Sequence, residues 1–484
     1  MNAEPTPDPS SLSTPRPGGA GQTPLKPRAT PGRRRPALVA GAGALGLAAL
    51  LGGGLALTSS RTRTTTEDFT RSLSRTLTAS RVARVDRTSY VRGLTGSTQT
   101  LHVAFGEAGQ PPLRVLVINH IQHGPFPGFQ AVGQALVDTE VRFEDPKFQT
   151  EVDRAFGGRK PQIRTLVGLD GGTQTSVDIP AGRLRQAGGE MDWQPLHGSV
   201  AVRGLSSSAD LNWRGLTFTS PEGTSELRGV RMQGETRRSS EDDQLGVGQS
   251  VLSVEKMSFS SAGQSVELAG LKVSGESKLS GPDHYDTQFT SSVGSLGMAG
   301  QHLSDLRLEL GLRHLARAPL NRLLTLVNEV QTGARAAGTP SGALPDLTPA
   351  QQQQLQADVL ALIGDGPELS LDRLSLKQPS GDVVLRARAT LPGASTLSRE
   401  QLQLMLAAPA AAMGLLNAEA SFEGPRTAVQ ELLSLAGPGT PGLASRLDDL
   451  VEAGMLRQTG QQLSARLHFG EGDFTLNGRS LTEF

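Results

Sequence analysis

Two segments of 22 residues in the middle of the chain repeat one another at an offset of 41 positions. "RGLTFTSPEGTSELRGVRMQGE" at Arg214–Glu235 aligns without gaps to "EKMSFSSAGQSVELAGLKVSGE" at Glu255–Glu276. The identical pairs are Phe218/Phe259, Ser220/Ser261, Glu226/Glu267, Leu227/Leu268, Gly229/Gly270, Gly234/Gly275 and Glu235/Glu276. Each segment predicts a β-hairpin, because apolar and polar residues alternate on both sides of a turn. Such hairpins stack into a long antiparallel sheet with one apolar and one polar face.

The same alternation continues on both sides of the repeat. It dominates the chain up to about residue 310 and is interrupted by turns rich in glycine, serine and asparagine. Glycine accounts for 58 of the 484 residues, well above the usual share of about 7%. A weaker copy of the hairpin pattern lies at Asp372–Ala387, and "ARLHFGEGDFTLNGRSL" near the C-terminus has the same form. The sheet is therefore expected to include the end of the chain.

Four segments place leucines three and four residues apart, a spacing typical of amphipathic helices. They are Leu315–Ala337, Thr348–Gly364, Thr396–Ala418 and Gly442–Met455. Thr348 before Pro349 is a plausible helix start. We expect these helices to cover the apolar face of the sheet, fully or in part.

An uncharged segment of 21 residues, "ALVAGAGALGLAALLGGGLAL" at Ala37–Leu57, precedes the β-rich part. A helix of this length spans roughly 30 Å of hydrocarbon, enough for one crossing. The run Arg33–Arg35 lies just before it, so the positive-inside rule keeps the N-terminus in the cytoplasm. A cleaved signal peptide is the alternative, but its apolar region is normally about 7–15 residues long, and "LALTSS" offers no clear cleavage site.

These patterns predict an α+β fold. An N-terminal transmembrane helix is followed by an extended, curved antiparallel sheet of repeated hairpins with helices packed against it. The expected organisation is a disordered cytoplasmic tail (1–36), a transmembrane helix (37–58), an extracytoplasmic β-rich domain (59–310), and helical segments with further hairpins that complete the sheet (311–484).

The chain carries few signals of catalysis. "GAGALG" at Gly41–Gly46 matches the dinucleotide-binding pattern, but no strand precedes it and the apolar run continues, so it is interpreted as membrane-helix packing. Basic and acidic residues balance at 47 each, which argues against a nucleic-acid partner. The absence of cysteine excludes thiol catalysis, Cys-ligated zinc and disulfides. Since no hydrolase, phosphate-loop or zinc-protease motif is present, we expect no enzymatic activity and no cofactor.

The candidate site is "HGPFP", which follows the apolar stretch "LRVLVI". Gly124 permits close backbone approach, while Pro125 and Pro127 fix their own φ angles and make the segment rigid. In a structural interpretation the segment ends an edge strand, wedges Phe126 into the core, and lets His123 hydrogen-bond the turn. The alternatives are that it binds a partner or ligand, or that His123 acts as an acid or base.

Other potential ligand clusters have simpler interpretations. His120 and His123 form the only close histidine pair, but the following prolines force an extended path and no third ligand is nearby, so no metal site is expected. "PDHYD" at Pro282–Asp286 is interpreted as a polar turn, and "SSEDD" at Ser239–Asp243 as a solvated loop.

Together these features resemble the YdgA-like family of bacterial envelope proteins of unknown function. The resemblance rests on "HGPFP", on the block "VEKMSFS…LAGLKVSGESKLSG" at Val254–Gly281, and on the ending "GDFTLNGRSL" at Gly472–Leu481. It implies an extracytoplasmic body held by the inner membrane, and it brings no catalytic residues. Only the "HGPFP" residues match a family motif, of unknown role. The long Pro-rich tail departs from the short N-terminus of the family.

The expected function follows from the sheet and the anchor. We expect a non-enzymatic, single-pass protein of the inner membrane whose periplasmic body binds lipid or an extended ligand in an apolar groove of the sheet, by analogy with membrane-anchored lipid-transfer proteins. The alternative is an envelope scaffold or assembly factor that acts through protein contacts. The expected partners are the membrane, lipid or envelope proteins, and a second copy of the chain.

Overall fold

A computed structural model describes residues 83–483 of the chain, apart from 106–111, 187, 262, 299–300, 337–346, 408–412 and 436–445. The described residues form one antiparallel sheet of 22 strands. The strands are β1 (Ala83–Arg92), β2 (Gly96–Phe105), β3 (Leu113–His123), β4 (Ala135–Phe143), β5 (Gln162–Val167), β6 (Thr173–Ile179), β7 (Gly182–Gln186), β8 (Gly189–Trp193), β9 (Leu196–Arg203), β10 (Ser206–Ser220), β11 (Gly223–Arg237), β12 (Val247–Ser261), β13 (Gln264–Leu279), β14 (His284–Met298), β15 (Gln301–Ala316), β16 (Glu368–Gln378), β17 (Gly381–Thr390), β18 (Asn417–Pro425), β19 (Arg457–Thr459), β20 (Gln462–Gly470), β21 (Asp473–Leu476) and β22 (Arg479–Ser480).

The described part also contains six α-helices. They are α1 (Pro146–Ala155), α2 (Arg317–Ala336), α3 (Pro349–Gly364), α4 (Arg399–Ala407), α5 (Arg426–Leu435) and α6 (Arg446–Glu452). Thr348 caps α3 in a reciprocal capping box with Gln351, which satisfies free N–H groups of the first turn.

The sheet is a meander in which most strands pair with their neighbours in sequence. The β7–β8 hairpin leaves this order: β6 pairs with β9, and β10 pairs along one half with β9 and along the other with β8. Near the C-terminus β18 pairs with β20, whose second edge is shared by β19 and β21. The predicted antiparallel sheet is confirmed, and the two repeat units lie on β10–β11 and β12–β13.

Glycines with left-handed backbone interrupt the side-chain alternation of the long strands. In β10, Trp213 and Leu216 pack against the same core, although strict alternation places residues three apart on opposite faces. Gly215, with a φ of +127°, lies between them. Both repeat units have a glycine with a left-handed φ at the equivalent position, Gly229 (φ +60°) and Gly270 (φ +66°). Only glycine adopts this conformation without steric cost, which explains why both units share it.

The two larger hydrophobic cores lie towards the two ends of the strand order. Near the N-terminus, α1 and the β7–β8 hairpin pack on strands β2–β10, and the rings of Phe156 and Trp193 meet edge to face with centroids 5.3 Å apart. Near the C-terminus, α5 and α6 cover β17, β18 and β20 around Ala428, Leu447 and Leu463. A third, smaller core joins α3 to α4 through Leu360 and Leu402, and α2 and α3 also contact β15. Within the described residues the helices thus leave β11–β14 largely uncovered.

The prediction of an α+β fold is wrong. Strands make up 59% of the described structure and helices 20%, so the fold is dominated by β-structure. Among the described residues of the predicted helix Thr396–Ala418, Arg399–Ala407 is α-helical, and β18 already begins at Asn417. The physical reason is that short apolar runs fit the helical and the strand period equally well, and pairing with neighbouring strands decides between them.

The predicted tail (1–36) and transmembrane helix (37–58) lie outside the described residues. Within the part of the chain that is described, no helix combines the length and the apolarity that a membrane crossing requires. The predicted division between 59–310 and 311–484 stays a prediction.

Candidate functional site

Apolar side chains of the long strands form rows across one face of the sheet, because paired residues on neighbouring strands point to the same side. One row runs through Leu211, Met232, Leu252, Val273, Ser291, Leu308, Leu374 and Leu385. Another runs through Leu216, Leu227, Met257, Leu268, Leu296 and Leu303. Since Leu211 and Leu216 pack against the same core, both rows share one side of the sheet, which we call the apolar face.

Many large apolar side chains in the middle of the apolar face are open to solvent, although Val254 on β12 is buried. Phe259 and Met298 are 52% and 53% exposed. Further exposed side chains are Met232, Leu252, Met257, Val266, Phe289, Leu310, Leu312, Leu369 and Leu374. The helices pack on β4, β7, β17 and β18 and on parts of β15 and β16, where Leu310 and Leu369 remain exposed. The open stretch therefore extends from β11 to β16, across five strand spacings or roughly 24 Å.

The opposite face of the same strands is polar. Lys256 on β12 pairs with Glu267 on β13 at 3.0 Å. On β15, Arg313 donates hydrogen bonds to Glu368 at 2.8 Å and to Asp372 at 2.6 Å. The hydrogen bond to Asp372, more than that to Glu368, raises the pKa of Arg313 against the effect of its burial. An apolar ligand is therefore favoured on one side of the sheet only.

The "HGPFP" segment ends β3 and opens the connection to β4. The Gly124–Pro125 peptide bond is cis. The backbone N–H of Gly124 donates to the carbonyl oxygen of Gln134 at 2.7 Å. A Cβ atom on Gly124 would lie 1.8 Å from the carbonyl oxygen of Gly133, so the close approach of the two chains requires glycine at this position.

The structure differs from the structural interpretation of this segment. β3 pairs with both β2 and β4, so it is not an edge strand. Phe126 is 59% exposed while Pro127 is buried, so the side chain that turns inward is the proline and not the phenylalanine. The side chain of His123 shares a hydrogen bond of 2.8 Å with the hydroxyl of Ser97. Its partner thus lies on the neighbouring strand β2 and not in the turn.

Three connections at one end of the sheet expose large apolar side chains. Leu94 lies in the β1–β2 turn, Phe126, Phe129 and Val132 in the β3–β4 connection, and Leu169 in the β5–β6 turn. Leu94 and Phe129 are almost fully exposed, at 99% and 97%. We call these five side chains the apolar tip. The "HGPFP" motif pointed to Phe126, whereas Leu94 and Leu169 were not predicted, although each follows a glycine in a turn, in "GLTG" and "GLDGG".

The structure separates His120 from His123 and brings His284 against His314, with ring centroids 5.1 Å apart. His120 and His123 are three positions apart on β3 and therefore point to opposite faces. His284 of "PDHYD" opens β14 and pairs with Asp365 at 2.8 Å. Among the described residues, no three metal-ligating side chains converge in a way that could hold a metal ion.

The family comparison covers nearly the whole chain. Residues 36–483 match the model of a family described as bacterial protein of unknown function (DUF945). That description assigns no reaction, ligand or partner. No curated protein and no solved structure gives a significant match.

Proposed function

The chain belongs to the DUF945 family of bacterial proteins of unknown function, and from this premise we propose that it is a membrane-anchored envelope protein that binds lipid acyl chains on its apolar face. The observation that carries the proposal is the open stretch between β11 and β16, where Leu252, Met257 and Phe259 remain exposed. Each methylene group that leaves water contributes about 0.8 kcal/mol. An acyl chain lying across these side chains would therefore be held mainly by apolar contacts.

The location follows from the N-terminal sequence. The uncharged segment Ala37–Leu57 anchors the chain in the inner membrane, and Arg33–Arg35 keep the tail in the cytoplasm. The body then lies in the periplasm and acts by binding, without catalysis or a cofactor. The similarity of "HGPFP" to the YdgA-like proteins supports this placement and makes that group the proposed relatives within the family.

The test compares lipids that stay with the full chain after purification in detergent. Leu252→Glu places a carboxylate on the apolar face, and the adjacent Ser253→Glu places one on the polar face, between Arg231 and Lys272. Mass spectrometry of organic extracts is expected to find specific phospholipid with the wild type and with Ser253→Glu, and much less with Leu252→Glu. Equal lipid content in all three proteins would contradict lipid binding on this face.

The second candidate function is an envelope scaffold, and the edge of the sheet favours it. β1 pairs only with β2 among the described strands, and its Val91 is 69% exposed. An open edge can accept a further strand from an envelope protein or from a second copy of the chain. A photoreactive residue at Val91 should then capture one reproducible protein in cells, whereas capture of none counts against the scaffold.

A further inference from the structure

We infer that the apolar tip dips into the same membrane that holds the anchor of the chain. This inference rests on the proposed function, because it takes Ala37–Leu57 as the anchor. It adds a second and separate membrane contact, made by the folded body. This contact would give a role to the "HGPFP" connection, which has no part in the proposed lipid binding on the apolar face.

Backbone and side-chain hydrogen bonds tie the three connections of the apolar tip into one surface. The N–H of His123 donates to the carbonyl of Thr95 at 3.0 Å, which joins the β3–β4 connection to the β1–β2 turn. Gln134 donates from its backbone N–H to Val167 at 2.8 Å and from its side chain to the carbonyl of Leu169 at 3.0 Å. The exposed side chains are therefore held together before any membrane is met, which lowers the entropic cost of insertion.

The apolar tip is almost free of charge. The segments "GLTG" at 93–96 and "GPFPGFQAVGQ" at 124–134 contain no charged residue. In the β5–β6 turn the carboxylate of Asp170 accepts a hydrogen bond from the N–H of Gly172 at 3.0 Å. Apolar side chains among neutral amides and glycines suit the boundary between headgroups and acyl chains, where a surface element is buried by about 5–10 Å.

Chain length brings the apolar tip within reach of the anchoring membrane. The described residues begin at Ala83, at the end of β1 away from the tip, and the ten residues of β1 span roughly 33 Å. The 25 residues from 58 to 82 can extend over at most about 85 Å. This length of chain is enough to let the apolar tip reach the bilayer, and attachment to the anchor keeps that bilayer at a high effective concentration.

The test uses the absence of cysteine from the chain. A single cysteine replaces Leu94, Phe129 or Leu169 in the full chain and carries an environment-sensitive fluorophore. Glu222→Cys, in the β10–β11 turn at the other end of the sheet, is the matched control. Each protein is placed in nanodiscs, which offer one bilayer only, with and without phospholipids that carry a nitroxide near the headgroup.

We expect about twofold quenching of the three tip labels by the nitroxide lipids and none of the control. Unquenched tip labels in a chain that does enter nanodiscs would overturn the inference and leave the anchor intact. Quenching that occurs only after separate vesicles are added, or that is equal at Glu222→Cys, would overturn it as well. A full chain that fails to enter nanodiscs would remove the proposed anchor and the inference with it.

Discussion

Gly124 sets the path of the chain at the apolar tip. Any side chain there would collide with the carbonyl oxygen of Gly133, 1.8 Å from the position of a Cβ atom. We expect Gly124→Ala to lower the free energy of unfolding by about 1–3 kcal/mol, because the two backbones must separate. Urea denaturation of the purified chain measures this. Gly414→Ala, where no atom of the described residues lies within 4 Å of the added Cβ, should change little, and equal stability of the two variants would contradict this explanation.

Asp243 is the buried carboxylate that joins the β11–β12 connection to α2. Burial acts to raise the pKa of Asp243. Hydrogen bonds from Ser239, Arg317 and the N–H of Leu245 together lower it by more, so the pKa lies below its ordinary value. The Arg317 hydrogen bond is 2.6 Å long. A carboxyl group with a lowered pKa stabilises the fold above its unfolded pKa of about 4, and this contribution disappears as the pH falls through the folded value.

We therefore expect Asp243→Asn to be less stable than the wild type by about 1–3 kcal/mol near pH 7, and the difference to shrink as the pH falls below about 4. Unfolding measured in urea across this pH range tests the expectation. The exposed neighbour gives the control Asp242→Asn, which should track the wild type. A difference that grows on acidification would show that the sign is wrong.

At the scale of strands, the repeat predicted more of the fold than any single motif did. Alternation is a local property, so β10–β13 could be predicted from the sequence alone. The backbone conformation of the shared Gly229 and Gly270 could not be predicted from alternation. The sequence shows that a glycine is present at each position but not that its φ is left-handed. Their consequence is visible only once the register is known: both halves of each long strand turn apolar side chains to one face.

Gly270 offers a direct test of whether the left-handed backbone conformation requires glycine. Its φ is +66° and a Cβ atom would have 3.4 Å to its nearest neighbours in Gly294, so conformation rather than space is limiting. We expect Gly270→Ala to cost about 1–2 kcal/mol, and Gly270→Asn to cost less, because asparagine tolerates the left-handed region. Chemical denaturation of both variants decides this. An asparagine variant less stable than the alanine variant would refute the explanation.

Helices and the candidate site were predicted less completely. Thr348 marked the start of α3 correctly, but α1 and α5 were missed because they are short and depend on packing against the sheet. "HGPFP" pointed to the right connection. The rest of the apolar tip, Leu94 and Leu169, is distant in sequence, and only the pairing of β1–β6 brings it close.

At the scale of the whole molecule, the apolar face is bounded at both ends and open between them. α1 with the β7–β8 hairpin covers one end, and α5 with α6 covers the other. A sheet that exposes Phe259 and Met298 to water loses the stabilisation that burial of these side chains would bring. A bound acyl chain would supply the missing contacts, and so ligand and fold should stabilise one another.

Removal of lipid should therefore lower the thermal unfolding temperature of the full chain, and return of phospholipid should restore it in a concentration-dependent way. Differential scanning fluorimetry of stripped and reloaded protein in one detergent measures the shift. Leu252→Glu should show no recovery, whereas Ser253→Glu should recover like the wild type. Identical curves for stripped and reloaded wild type would speak against a lipid that binds the native sheet.

The most direct measurement places a photoreactive side chain at Leu252, on the apolar face, or at Ser253, on the polar face of the same strand, and irradiates living cells. Mass spectrometry of the intact protein then reads the adduct. The account predicts an added mass equal to a phospholipid at Leu252 and none at Ser253. An apolar face that captures no lipid, or captures it no more than its polar neighbour, would contradict the central claim.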